Sequence, residues 1–303
     1  MSKTIIVLGD ETDEHAAAIY FLLRDKGHQA YYFDTADYPQ RVSLSFNPLT
    51  LSGMLNLPEV SLQWSEIDAV YWRCFNGFSS SDLENDDQNY IAKNDSRSLL
   101  EAFFKLCPCK WVNGYEGYLL HQQKPYAFHL VNKLNLKHIK QPRTLIVNEP
   151  ADLLEFVDDK QYIFKPVQGG AHTEVLTAEM LEPECLENLK YAPITVQEKV
   201  SGGDIRVFVI GDKVFSIKII SQELDFRDDQ NVICEATNLP VEVQRECQQI
   251  ASVLKLAWTG IDLRLSVDGH YYYFEANPSP MFMGFEEMST LPLTESFIEF
   301  LTN

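Results

Sequence analysis

Residues 260 to 280 read GIDLRLSVDGHYYYFEANPSP, and they set one carboxylate against another. Asp268-Gly269 is a two-residue hairpin signal between two runs rich in β-formers. With that pair as the loop, Val267 faces His270 and Asp262 lies across from Glu275. Asn277 follows two residues later on the same face as Glu275. The opposite face holds Ile261, Leu263, Leu265 and Val267 with Tyr272, Phe274 and Ala276, which reads as core. Like charges directly opposed, with Cβ atoms about 5 Å apart, destabilise a sheet unless something neutralises them.

Four further stretches add charges and backbone donors. In YIFKPVQGGAHT, Lys165 ends an apolar strand ahead of paired glycines, which can aim an ammonium and backbone N–H groups at phosphate oxygens. The same pattern is equally an ordinary strand and turn with a solvated lysine. TVQEKVSGGD ends a strand with Glu198 and reaches Asp204 after Gly202-Gly203. Such an end can read an adenine edge and a ribose diol, or can simply expose its charges. In DIRVFVIGDKVFSIKII, Gly211-Asp212 makes a second two-residue turn, and Asp204 shares a strand face with Arg206. As a surface ion pair alone, that acid and base contribute under about 1 kcal/mol. In LDFRDDQN, Asp225 and Arg227 share a face if extended, where an arginine can hold a carboxylate or a transferring phosphoryl group. The bland alternative is a charged loop.

These residues need a scaffold, and the bulk properties bound it. At 303 residues the chain has room for two or three modest domains, and 45% hydrophobic content marks it as globular. A net charge of −19 argues against general nucleic-acid binding, because no basic field neutralises phosphates. No apolar run is long enough to span a bilayer, and MSKTIIVLGDETDE lacks the apolar region of a signal peptide. Six cysteines without a CxxC pair suit reduced thiols, so the expected location is cytoplasmic, with no membrane partner. His121, His129 and His138 lack metal-like spacing and read as surface or core histidines.

Strand and helix patterns alternate along the chain. KTIIVLGD predicts a buried strand, DEHAAAIYFLLRDKG a helix closed by Gly27, and HQAYYFD a second strand. The turn of this βαβ opening is GDETDE, whose acids would repel a pyrophosphate, so nucleotide binding is not expected there. Short strands alternate with turns from Val42 to Phe78, and NDSRSLLEAFFKL reads as a capped helix. KPYAFHLVNKLNL, PRTLIVN and YIFKPVQGG form a second βα region, and from Ile194 hairpins and one helix, VEVQRECQQIASVLKLA, dominate. The division expected is 1–110, 111–193 and 194–303.

Taken in order, these segments resemble the ATP-grasp superfamily, in particular the branch of RimK-like glutamate ligases and MvdD-type graspetide ligases. The resemblance covers roughly residues 120 to 285, with looser matches in YYFDTADYP and AVYWRCFNGF. It implies an α/β architecture: an ATP-grasp fold of two α+β lobes, preceded by an N-terminal βαβ pre-ATP-grasp domain. It implies that Lys124 and Lys165 contact phosphates, that Gln197, Glu198, Lys199 and Val200 line the adenine, and that Asp204 takes the ribose. Asp262, Glu275 and Asn277 are then metal ligands for Mg2+, or Mn2+ in its place, which relieves the facing carboxylates. Arg206, Arg227 and Asp225 fall in the catalytic positions.

The implied activity is an ATP-dependent carboxylate–amine or carboxylate–alcohol ligase working through an acyl phosphate on a ribosomal precursor peptide. The chain departs from RimK-type ligases in RDDQNVICE, where Asp228 and Asp229 replace a basic, glycine-containing stretch and weaken a polyglutamate assignment. A ligase for amino acids or small peptides and a catalytically silent nucleotide-binding module are the alternatives. The resemblance also implies a homodimer.

Overall fold

The computed structural model describes residues 1–78, 83, 85–169, 172–221, 223, 226 and 229–303. Its first region contains β1 (Thr4–Leu8), α1 (Glu14–Asp25), β2 (Gln29–Phe33), β3 (Ser43–Asn47), β4 (Ser52–Asn56), β5 (Ser61–Gln63), β6 (Ala69–Trp72), α2 (Asp86–Leu106) and β7 (Lys110–Val112). Strands β2, β1, β6 and β7 form a parallel sheet in that order, while β3, β4 and β5 make an antiparallel meander. The burial of β1 on both faces explains its unbroken apolar run, since Ile5, Ile6, Val7 and Leu8 are all inaccessible. Helix α1 starts where the Asp13 side chain accepts from Ala16 N–H, as the sequence pattern predicts. Helix α2 begins eight residues earlier than the pattern NDSRSLLEAFFKL indicates. The Asn85 side chain caps it at Gln88 N–H, and its first turns are solvated, so they carry no apolar period.

The middle region contains α3 (Tyr115–Gln122), α4 (Lys124–Lys133), β8 (Ile139–Lys140), β9 (Thr144–Val147), α5 (Pro150–Phe156), β10 (Tyr162–Pro166), β11 (Glu174–Val175), α6 (Pro183–Leu186) and β12 (Ile194–Glu198). A four-stranded sheet runs β11-β10-β12-β9. The last region contains β13 (Gly202–Ile210), β14 (Lys213–Ile220), β15 (Ile233–Thr237), α7 (Val241–Val253), β16 (Trp258–Ser266), β17 (Tyr271–Asn277), α8 (Met283–Ser289) and α9 (Leu293–Thr302). Its strands join a six-stranded sheet, β15-β14-β13-β16-β17-β8. Beyond the one helix expected after Ile194, α8 and α9 close the chain. Strands β7 and β12 start at the expected boundaries, and by sheet membership each belongs with the region before it.

Alternation along β13 shows how the six-stranded sheet is held. Val207 and Val209 pack with Val243, Cys247 and Ile250 of α7. Phe208 and Ile210 join a second core with Phe297 and Leu301 of α9 and with Ile5, Val7 and Tyr71 of the first sheet. No helix among the described residues is long and apolar enough to cross a membrane.

Candidate active site

The β16–β17 hairpin reaches the expected facing pair by an unexpected route. Its loop has three residues, not two: Ser266 N–H donates to His270 O at 2.8 Å, and Gly269 closes the turn at φ 79°. Leu263 therefore pairs with Tyr273, yet Asp262 still pairs with Glu275, because Phe274 is an extra residue in a β-bulge between the two pairs. The bulge revises the expected core face. Tyr273 is buried in place of Tyr272 and Phe274, and Val267 sits in the loop, 80% exposed.

Around this pair lies a cavity of about 510 Å³ between the four-stranded and six-stranded sheets. Lys124, Lys165, Gln197, Glu198, Lys199, Val200, Asp204, Arg206, Asp262, Glu275 and Asn277 all line it. Asp225 and Arg227 lie outside the described residues, although Phe226 between them lines the same cavity. Asp229 is tied into a local turn, accepting from Ser221 Oγ and Asn231 N–H, both at 2.8 Å.

The facing carboxylates are already compensated in part by side chains. Lys124 Nζ donates to Glu275 Oε1 at 2.7 Å, and Arg206 Nη1 stands 3.0 Å from Asp262 Oδ1. Burial alone would raise the Glu275 carboxyl, but Lys124 and then Lys165 hold it below its ordinary range. Asp262 is pushed up to about 6, chiefly by burial, against the pull of Arg206 and with a further push from Glu275. Burial also pulls the Lys165 ammonium below its ordinary range, although Glu275 acts in the opposite direction. A polyanion with its own cation matches what this end of the cavity lacks: positive charge beside Asp262, negative charge beside Lys165.

The donor chemistry fits magnesium and nucleotide. Asp262 and Glu275 could supply hard oxygen ligands and Asn277 a neutral one, although its Nδ2 here donates to Asp262 Oδ2 at 3.3 Å. Among the described residues, no group of three or more His, Cys, Asp or Glu is placed to hold a metal. At the far end, Gln197 is 1% exposed, and its side chain donates to Thr144 Oγ1 at 2.9 Å and leaves Oε1 without a partner. A buried orphan acceptor on a cavity wall suits a ligand N–H. Glu198 spends one oxygen on Lys160 Nζ at 2.9 Å.

Three residues were given no role at this site by the sequence. Arg264 makes a forked pair with Asp204, at 2.7 and 3.0 Å, so the acid and base expected side by side on β13 instead pair across to β16. Buried Asn113 accepts from Ala257 and Trp258 N–H and donates to Trp258 and Pro278 carbonyls, clamping the open end of the hairpin. His121 lines the cavity near Glu275, and burial lowers its pKa. These partners come from distant strands, so only pairing between non-neighbouring elements could have revealed them.

Two sheets closing over a cavity lined by lysines and by the facing acids of the β16–β17 hairpin define the ATP-grasp fold. The chain belongs to the RimK-like ATP-grasp domain family, whose model matches residues 119–301. It is similar to "Probable alpha-L-glutamate ligase 1" of Shewanella sp. (strain W3-18-1), 32% identical over 183 residues. That match covers 55% of this chain and 60% of the relative, so the chain spans less than two thirds of that protein's length. In solved structures, the ATP-grasp ligase PsnB complexed with a minimal precursor aligns with TM-score 0.85 at 28% identity, covering 100% of this chain and 99% of PsnB. The macrocyclase MdnC of Microcystis aeruginosa MRC, bound with its precursor peptide MdnA, shares the fold at TM-score 0.84 and 20% identity, with 99% of both chains covered.

Proposed function

We propose that this chain is an ATP-dependent ligase that joins a carboxylate to an amine or hydroxyl through an acyl phosphate, within a ribosomally made precursor peptide. The observation that carries the reading is the single cavity in which Lys124, Lys165, Arg206 and the Asp262/Glu275/Asn277 set converge. The full-length likeness to PsnB, which is solved with a precursor and also with Mg and ADP, supports the peptide as substrate.

A substrate carboxylate oxygen attacks the γ-phosphorus of ATP, the bond to the bridging oxygen breaks, and ADP leaves. The nitrogen or oxygen acceptor then attacks the acyl carbon, phosphate leaves, and the acceptor gives up a proton. Lys124 and Lys165 offset phosphate charge from two sides of the cavity, and Arg206 faces the charge that develops on the transferring group. Gln197 Oε1, with the Glu198–Val200 edge, takes the adenine, and Asp204 takes the ribose. Asp262, Glu275 and Asn277 would hold magnesium, which would supply positive charge against the nucleotide phosphates. Asp225 and Arg227 complete the catalytic set. Mn2+ in place of Mg2+, a homodimer and work in the cytoplasm are parts of the same reading, tested by metal substitution, sedimentation and fractionation.

The test is incubation with ATP, magnesium and the precursor encoded beside this gene. Each new bond removes one water mass and releases one ADP. Peptide left unmodified by a protein that binds nucleotide would refute the peptide assignment. The match to glutamate ligases favours a second reading, in which amino acids are joined instead. Screening amino-acid pairs for ADP release separates the two, since a peptide ligase stays at background without its precursor. A silent regulatory module is the outcome if Glu275→Ala leaves the biological activity intact.

A further inference from the structure

We infer that Arg264 is a positioning residue that sets selectivity for the nucleotide sugar, an inference that rests on the nucleotide reading given above. Its guanidinium reaches the two ends of one short segment. Nε and Nη2 take both oxygens of Asp204, at 2.7 and 3.0 Å, and Nη1 donates to the Val200 carbonyl at 3.0 Å. The Arg264 side chain is 18% exposed, and its Cζ lies 5.6 Å from the Phe274 ring centre. Between the two anchored ends, Gly202 passes so close to β16 that a Cβ there would meet Leu265 O at 2.0 Å. The turn from the Glu198–Val200 edge to Asp204 is thus fixed onto β16 by one side chain and one close approach.

The chemistry follows from lone pairs and register. Each carboxylate oxygen accepts two hydrogen bonds, so the fork uses one site on each and fixes the plane of the carboxylate, leaving the other sites for hydroxyl donors. Asp204 pairs with Arg264, and Arg206 pairs with Asp262 two residues along the same strands. The four side chains therefore alternate in sign on one face, and removing Arg264 leaves Asp204 without its fixed cation.

Calorimetry with Mg·ATP and with the magnesium salts of 2′- and 3′-deoxy-ATP tests this on the full chain and its Arg264→Met, Arg264→Lys and Asp204→Asn variants. For Arg264→Met, ATP binding weakens by about 10- to 100-fold, as expected for hydrogen bonds to a charged group. Binding of at least one deoxynucleotide changes by less than about threefold on the same grounds, so the preference for ribose collapses. Arg264→Lys, which keeps the charge and loses the fork, recovers part of the preference. In turnover, the loss falls on KM for ATP rather than on kcat, and Asp204→Asn combined with Arg264→Met discriminates no worse than Asp204→Asn alone. An Arg264→Met or Arg264→Lys protein that melts like the parent and keeps the parent's ribose preference overturns the inference while leaving the ligase reading intact. A parent chain that binds no ATP overturns both.

Discussion

Glu275 stays ionised in a half-buried wall because Lys124 sits 2.7 Å away, and the same lysine is the one proposed to meet phosphate. The two roles are compatible only if a cation takes over beside Glu275 when nucleotide arrives. Glu275→Gln keeps the shape and removes that ligand charge, so ADP release at saturating Mg·ATP should fall at least about 100-fold. A magnesium titration should show its midpoint displaced, and chelation should silence parent and variant alike. At this scale the sequence was informative wherever chemistry repeats in a local pattern. Asp262, Glu275, Asn277, Lys124 and Lys165 were all legible from hairpin arithmetic or from motif resemblance, and they line one cavity. Arg264 and Asn113 were not, because each acts on partners that are remote in sequence or are plain backbone groups.

Among the elements, strand β17 shows how a register can be right locally for reasons that only the fold supplies. The two-residue loop inferred from Asp268-Gly269 misplaces the turn, and the bulge at Phe274 restores the Asp262–Glu275 pair. A bulge has no sequence signature here, since YYYFEAN offers no polar alternation to locate the extra residue. Removing Phe274 should therefore regularise the ladder. Tyr273 and Ala276 stay inward and Glu275 stays opposite Asp262, whereas removing Tyr272 turns Tyr273 outward and puts Phe274 in its buried place. A deletion scan read by thermal melting should find Phe274 the tolerated position.

Helix α7 offers a second test at this scale. Buried Glu246 accepts from Lys137 and Ile139 N–H at 2.8 Å and from His138 N–H at 3.1 Å, fixing the chain as it enters β8 beside β17. Burial raises its pKa, but these bonds outweigh that and leave it below the ordinary 4.5. With the folded value the lower one, the carboxylate's contribution is fully present above 4.5 and is lost as pH falls through the folded value. Glu246→Gln should cost about 1–3 kcal/mol at neutral pH. The gap from the parent should narrow in acid melts.

For the whole molecule, the first region is bound to the site hairpin rather than set beside it. Arg73 Nε meets Asp13 Oδ1 at 2.8 Å, and its Nη1 donates to Ser279 O at 2.8 Å and Oγ at 2.9 Å. Ser279 Oγ in turn donates to Arg73 O. Arg73→Met strands the Asp13 carboxylate and frees the segment after Asn277, a loss of about 1–3 kcal/mol for a part-buried charged group left without its hydrogen-bond partner. Chemical unfolding would measure it, and Mg·ATP binding should weaken alongside. The sequence supplied the order of βαβ opening, central sheet and terminal hairpins, because short-range periodicity encodes each element. It left α8 and α9 unmarked, and with them the joint that they make.

That joint has a consequence for exchange between relatives. Phe297 and Leu301 of the last helix share a core with Ile5, Val7 and Tyr71, and Lys110 reaches the carbonyl of Phe300. A chimera that borrows the first hundred or so residues from another ligase, as the expected boundary at 110 invites, inherits half of a core and half of an ion network. Such grafts should express as insoluble protein until the donor's final helix travels with its opening sheet, so the ends of this chain should be inherited as a pair.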